Sequence, residues 1–218
     1  MTRENTFRFK QFTVLNDKTC MKVGTDGVLL GAWCDVCEAK SVLDVGTGCG
    51  LIALMIAQRN ADCNIDCIDI DEGAIEEARI NADNSPWSDR IHPFMSDFKQ
   101  FICDKKYDLI VSNPPFFNKG VLAPDKSRQN ARHDKGKLCL ISPTDLEEEI
   151  TKSCAEVGAY VHQKVVIYTK PGKEPKRCLW EISKHNSDKR CSELFVQNSD
   201  GQYSEQYIGL CKDFYMNM

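Results

Sequence analysis

The chain has 218 residues, 28 Lys and Arg against 32 Asp and Glu, a formal charge of −4 and 42% hydrophobic residues. That length carries one sizeable core without a second domain, and the mild acidity excludes a protein that grips nucleic acid over its whole surface while allowing a local basic patch. No stretch approaches the roughly 18 apolar residues of a membrane span, and Met1-Thr2-Arg3-Glu4-Asn5 lacks the apolar core of a secretory signal.

The 12 cysteines point the same way, towards a reduced, cytoplasmic protein. Cys67, Cys103, Cys139, Cys154 and Cys178 lie inside apolar runs, where a free thiol behaves as a small hydrophobe. Cys34-Asp35-Val36-Cys37 has no second pair at zinc-ribbon spacing, so no metal site is expected.

In chain order, Phe7 to Val14 alternates as a short strand and Asn16-Asp17 is a turn signal, which predicts an N-terminal hairpin over residues 7–23. Gly24-Thr25-Asp26-Gly27 then forms a loop before an apolar helical run, Val28 to Trp33; it either caps that helix or covers a ligand. Ser41 to Val45 reads as a buried strand running into Gly46-Thr47-Gly48-Cys49-Gly50 and a helix from Leu51 to Gln58. Strand, glycine turn and helix lay a ligand against backbone at a helix N-terminus. The third glycine comes one residue earlier than in a dinucleotide fingerprint, and the Asp44 carboxylate suits a cationic or ammonium-bearing ligand better than a pyrophosphate.

Ile65 to Asp71 is the next strand, followed by an Ala- and Glu-rich helix through Ala82. Asp71 is expected to cap that helix, leaving Asp69, about 20 residues past the glycine turn, for the hydroxyls of a ribose. Ile91 to Ser96 is a further strand; Asp97 at its end either accepts from an adenine amine or caps a short helix, Phe98 to Cys103. Tyr107 to Ser112 reads as a buried parallel strand ending in Asn113-Pro114-Pro115-Phe116. Two prolines hold that backbone stiff. The Asn113 amide oxygen and the Pro114 carbonyl then accept both hydrogens of an exocyclic amine, with Phe116 offering a flat face, or else the four residues are a proline-rich turn. Gly136 to Pro143, Lys164 to Tyr168, Arg177 to Ser183 and Glu193 to Gln197 read as strands. Thr144 to Val157 reads as a helix with Glu147 as capping-box partner, and Tyr203 to Tyr215 as a closing helix. Successive βα units with acids and glycines at the strand ends describe a doubly wound, mostly parallel α/β sheet.

Val42 to Gly50, with Asp69, Asp97 and Asn113-Pro114-Pro115-Phe116, resembles the class I S-adenosylmethionine-dependent methyltransferases that modify amino groups. Phe9 to Val14, Met21 to Trp33, Ala131-Arg132-His133 and Tyr203 to Tyr215 extend the resemblance, almost end to end, to the bacterial tRNA1(Val) (adenine-N6)-methyltransferase family. It implies a Rossmann-like domain over 1–218 with 1–30 as an N-terminal extension and an antiparallel hairpin ending the sheet, and methyl transfer to N6 of adenine 37 of a valine tRNA, with S-adenosylhomocysteine as product and no metal. Carried over by position, Asn113, Pro114 and Phe116 hold the target base. Lys22, Thr25, Asp26, Asp44, Gly46, Gly48, Gly50, Asp69, Ile70, Asp97 and Asn113 line the cofactor site, and Arg8, Lys10, Arg132, His133, Lys170, Lys173, Lys176 and Arg177 meet tRNA phosphates. A solvated charged face is the plainer reading of those basic residues.

The pattern is broken once: Phe117 to Lys135 holds no apolar period long enough for a crossover helix, so a segment is expected to be absent around Asp134-Lys135, and Phe117 to His133 reads as a substrate-binding lid. A monomer is expected. Rival readings are a glutamine methyltransferase acting on a protein such as a release factor, adenine-N6 methylation of another RNA or of DNA, and a nucleotide-binding regulator with a degenerate site. The glutamine enzymes typically carry a glycine before and a tyrosine after the Asn-Pro-Pro, where this chain has Ser112 and Phe116.

Overall fold

A computed structural model describes residues 5–19, 21–115 and 136–218. Phe116, Arg132, His133, the lid and the expected break at Asp134-Lys135 lie outside the described residues.

Central strands buried on both faces read as continuous apolar runs, and the middle of the sheet obeys that rule. β3 (Ser41–Val45) pairs in parallel with β4 (Asn64–Asp69) on one side and with β6 (Leu109–Ser112) on the other. β4 continues to β5 (Ile91–Met95) and β6 to β7 (Lys137–Pro143), again in parallel. β9 (Arg177–Ser183) runs antiparallel to both β7 and β8 (Tyr160–Tyr168), and β10 (Arg190–Phe195) ends the sheet parallel to β8. The order β10-β8-β9-β7-β6-β3-β4-β5 reverses direction between β3 and β6, which is where open α/β sheets form their ligand crevice.

α1 (Thr25–Trp33), α2 (Leu51–Arg59), α3 (Glu72–Asp83) and α5 (Glu205–Cys211) share one core with the sheet, while α4 (Glu147–Glu156) belongs to a second cluster around Trp180 and Leu140. α2 is buried almost all round because α1 lies on it. That approach requires Gly31, where a Cβ would stand 2.8 Å from Met55 Sδ. The cysteines behave as core: burial pushes Cys34 and Cys49 up to about 12, which keeps them unreactive thiols, and none of the described cysteines is in a disulfide. Among the described residues no helix is long and apolar enough to cross a membrane.

Three local expectations are corrected. The N-terminal hairpin pairs β1 (Thr6–Arg8) with β2 (Thr13–Leu15), so its turn is at residues 9–12 and not at Asn16-Asp17. The cause is aromatic: Phe9 and Phe12 both turn into the core with stacked rings 4.7 Å apart, and the Phe9 N–H donates to the Phe12 carbonyl at 2.9 Å. Phe98 to Cys103 is a turn and not a helix, because Phe98 and Phe101 are drawn onto Leu43, Ile68 and Tyr107 while the Asp97 carboxylate takes the Lys99 N–H at 2.9 Å. No capping box forms ahead of α4; a 3-10 turn, Thr144–Leu146, precedes it and the Glu147 carboxylate accepts from Lys164 on β8 instead.

Candidate active site

The register places the residues singled out in the sequence along one edge. Val45 of β3 stands opposite Ser112 of β6 and Ile68 of β4, and Asp69 stands opposite Met95 of β5. Asn113, Gly46 and Asp69 therefore follow from neighbouring strands at one level, with Asp97 just beyond, at the carboxyl ends where the crevice opens. Adjacent strands are about 4.8 Å apart, so Asn113 and the glycine turn are neighbours. Ser112 tightens the junction by donating its hydroxyl to the Val45 carbonyl at 3.0 Å.

The glycine turn has the backbone that only glycine adopts freely. Gly46, Gly48 and Gly50 have φ of 70°, 54° and 80°. The Gly46 and Thr47 N–H groups donate to the Ile68 carbonyl at 2.8 and 3.0 Å, which bends the chain over β4. A Cβ on Gly46 would meet nothing within 4 Å, so the turn borders open space there. Below it Asp44 is wholly buried: one carboxylate oxygen accepts from the Thr47 hydroxyl at 2.7 Å, and the other, Oδ1, has no partner among the described residues. Burial pushes this carboxyl up to about 7, the Asp69 charge adding to the rise. Asn113 Oδ1 is likewise buried without a partner among the described residues, and Pro114 next to it is buried too. A buried acceptor left unpaired is costly, so two of them at one crevice mark places where a ligand's N–H groups belong.

Asp69 is less free than the sequence suggests. One of its oxygens accepts from the Gly48 N–H at 3.0 Å and the other from the Asp71 N–H at 3.1 Å, which aims the carboxylate and leaves each oxygen further lone pairs. Asp71 caps α3 as expected, through the Ala74 N–H at 2.7 Å. Ile70 beside it is 71% exposed, an apolar surface at the mouth.

The segment preceding α1 crosses this edge. A Cβ on Gly48 would come within 3.9 Å of Thr19 Cγ2, and one on Gly27 within 3.9 Å of Asn113 Nδ2, so Thr19 stands at the glycine turn and Gly27 at the amide. Lys22 does not point its charge into the crevice: its ammonium donates to the Asn16 and Asp17 carbonyls at 2.7 and 3.2 Å. Thr25 is exposed at the first position of α1, and Asp26 pairs with Arg177 at 2.7 Å.

The basic residues divide into two groups. Because β9 is antiparallel to β7, the turn from Tyr168 to Arg177 lies on the same edge as Asn113, and the register Pro143 to Arg177 raises it beyond the level of Ser112. Lys173 and Lys176 are exposed there, and Lys170 is half-buried. Arg8 and Lys10 sit instead on the N-terminal hairpin, where the Lys10 ammonium is engaged by the Lys212 and Met218 carbonyls at 2.6 and 3.2 Å. The sequence reading missed Ser112, Glu77 and Asn81. The last two are polar residues one helical turn apart on the small-residue face of α3, and that placement was the available signal.

This strand order, with a glycine turn and an amide on adjacent strands, defines a Rossmann-like methyltransferase fold. Solved structures agree: a predicted O-methyltransferase from Agrobacterium tumefaciens superposes with a TM-score of 0.71 at 20% identity over 89% of this chain and 100% of its own. The tRNA m1G37 methyltransferase of M. jannaschii superposes at 0.64 and 18% identity over 86% and 59%. In sequence, the methyltransferase small domain matches residues 24–149. A protein of Phocaeicola vulgatus named tRNA1(Val) (adenine(37)-N6)-methyltransferase is 44% identical over 97% of this chain and 98% of its own length. Proteins of the same name from Bacteroides thetaiotaomicron and Yersinia enterocolitica are 40% and 39% identical over 97% and 100% of this chain. The chain belongs to the tRNA1(Val) (adenine(37)-N6)-methyltransferase family.

Proposed function

We propose that the chain transfers a methyl group from S-adenosylmethionine to N6 of adenine 37 in a valine tRNA. The observation that carries this reading is the pair of buried acceptors without a partner among the described residues, Asp44 Oδ1 on β3 and Asn113 Oδ1 just past the end of the adjacent β6, beside a glycine turn that borders open space at Gly46. Asp44 suits an ammonium and Asn113 an amine N–H, which fits the amino acid end of such a cofactor on one side and an exocyclic amine on the other.

Gly46, Gly48 and Gly50 would hold the cofactor's methionine and ribose parts, Asp69 its ribose hydroxyls, and Asp97 and Ile70 the surroundings of its adenine. When bound, the cofactor supplies an electrophilic methyl on a sulfonium that leaves as a neutral thioether, so no metal is called for. Asn113 Oδ1 and the Pro114 carbonyl accept the two N–H groups of the target amine, drawing its lone pair out of the ring and aiming it, and the methylated, cationic nitrogen then releases one N–H proton to solvent; the contribution of the two acceptors is positioning and electrostatics. The stiff Pro114-Pro115 backbone keeps both acceptors in place. A base inside a stack cannot reach this amide, so the adenine is taken from a loop and turned out. Lys170, Lys173, Lys176 and Arg177 hold the phosphates around it.

On this reading residues 1–218 act as one cytoplasmic, monomeric methyltransferase domain with residues 1–30 as an N-terminal extension. The test is methyl transfer from tritium-labelled cofactor to total tRNA, DNA and a release factor, with the labelled tRNA then mapped. Label in the valine acceptor at position 37 is the expected result; label in the protein alone would overturn the assignment.

A further inference from the structure

The crevice is bordered by a strap whose anchorage lies away from the reacting groups. Glu77, in the middle of α3, is 0% exposed and bonds to no basic side chain among the described residues. Its carboxylate takes three successive backbone N–H groups: Oε1 accepts from Asp17 at 2.5 Å and from Lys18 at 3.0 Å, and Oε2 from Thr19 at 3.2 Å. One turn further along, Asn81 exchanges both bonds with Leu15, accepting its N–H at 2.7 Å and donating to its carbonyl at 2.9 Å, and donates also to the Cys49 carbonyl of the glycine turn at 2.8 Å. Within the strap, the Thr19 hydroxyl bonds the Asn16 side chain at 2.5 Å and the Lys22 ammonium closes back on Asn16 and Asp17. The far end is fixed by Asp26 to Arg177.

A buried carboxylate in an Ala-rich helix face is an expensive way to hold a surface turn unless the turn must lie in one place. What lies in that place is the glycine turn, reached by Thr19 and by Asn81 through Cys49. We infer that Glu77 is a positioning residue for the cofactor: it fixes the Asp17–Thr19 turn against Gly48, and through it the placement of Met21 to Asp26 beside the crevice. The inference rests on the proposal that the glycine turn seats S-adenosylmethionine. A carboxylate fits three donors, whereas a glutamine keeps one acceptor and sets an NH2 against a backbone N–H.

Glu77→Gln tests it. Calorimetry with S-adenosylhomocysteine is expected to show binding weakened on the order of tenfold, with KM for S-adenosylmethionine rising in step and kcat changing less than threefold. An equal affinity in wild type and variant, or a loss confined to thermal stability, overturns the inference. A measurement on the wild-type protein guards against a variant that does not fold: S-adenosylhomocysteine is expected to slow tryptic cleavage after Lys18 and Lys22 at least threefold, and unchanged cleavage at saturating ligand counts against the strap. Failure of the underlying reading looks different, since the wild type would then not bind S-adenosylhomocysteine at all.

Discussion

On one side of Asn113 lies the glycine turn with Asp44 and Asp69, and on the other the turn joining β8 to β9 with its lysines, and the two are built on opposite plans. In the first, side chains are committed: the half-buried Asp69 is oriented by two backbone N–H groups, the buried Asp44 is held by Thr47, and even the adjoining strap hangs on a buried carboxylate. In the second, Lys173 and Lys176 stand in solvent and only Arg177 is pinned inward. A small ligand that must be held to fractions of an ångström needs preorganised partners, whereas a polyanion is held by the sum of long, adaptable cations. On the proposed function, the first half defines geometry and the second supplies affinity.

The sharpest way to break this division is at its centre. Asn113→Ala is expected to lower kcat by about 10³-fold while leaving S-adenosylhomocysteine affinity within about threefold, since the lost acceptor serves the amine alone; calorimetry that showed lost cofactor binding would place Asn113 in the first half. Asp69→Ala should do the reverse and weaken cofactor binding by about 10²-fold, the scale of two charge-assisted hydrogen bonds. Replacing Lys170, Lys173 and Lys176 together by Ala should raise the KM for tRNA by roughly 30-fold at low salt and flatten its logarithmic salt dependence by about 2, with cofactor affinity unchanged. If the salt dependence stayed as steep, the second half would not be the phosphate contact.

The smallest effect is a pH dependence. Burial pushes the Asp44 carboxyl from an ordinary 3.8 up to about 7, so the fold favours its protonated form. The stability linked to that proton is fully present below about pH 4 and is lost as pH rises through about 7. From pH 6 to 8 the loss is about 1.4 kcal/mol, absent in Asp44→Asn. A cation opposite Asp44 prefers the ionised form, so S-adenosylhomocysteine should bind up to about tenfold more tightly at pH 8 than at pH 6, and a flat profile would remove the ammonium from that carboxylate.

The central strands and the glycine turn were legible because their signals are local: apolar runs buried on both faces, and glycines where φ is positive. That Asn113 stands beside that turn came from the family resemblance, because the order of strands is not a local signal. The 9–12 turn was not legible, since alternating phenylalanines look like one strand until Phe9 and Phe12 are both drawn inward. Phe98 to Cys103 was misread because its aromatics answer to the core beneath it and not to a helical period. Glu77, and the pairing of Arg177 with Asp26, were opaque for another reason: the partners lie up to 60 and 151 residues away in the chain.

The bond from the Ser112 hydroxyl to the Val45 carbonyl has one more implication. It stitches two neighbouring rungs together right where the chain leaves the ladder, so on the proposed function the span from donor seat to acceptor seat is a repeat distance of the sheet and not the clearance of a hinge. Repacking a helix leaves that span alone; only a slip of β6 along β3 changes it, and such a slip by one residue would turn every side chain of the strand to the wrong face.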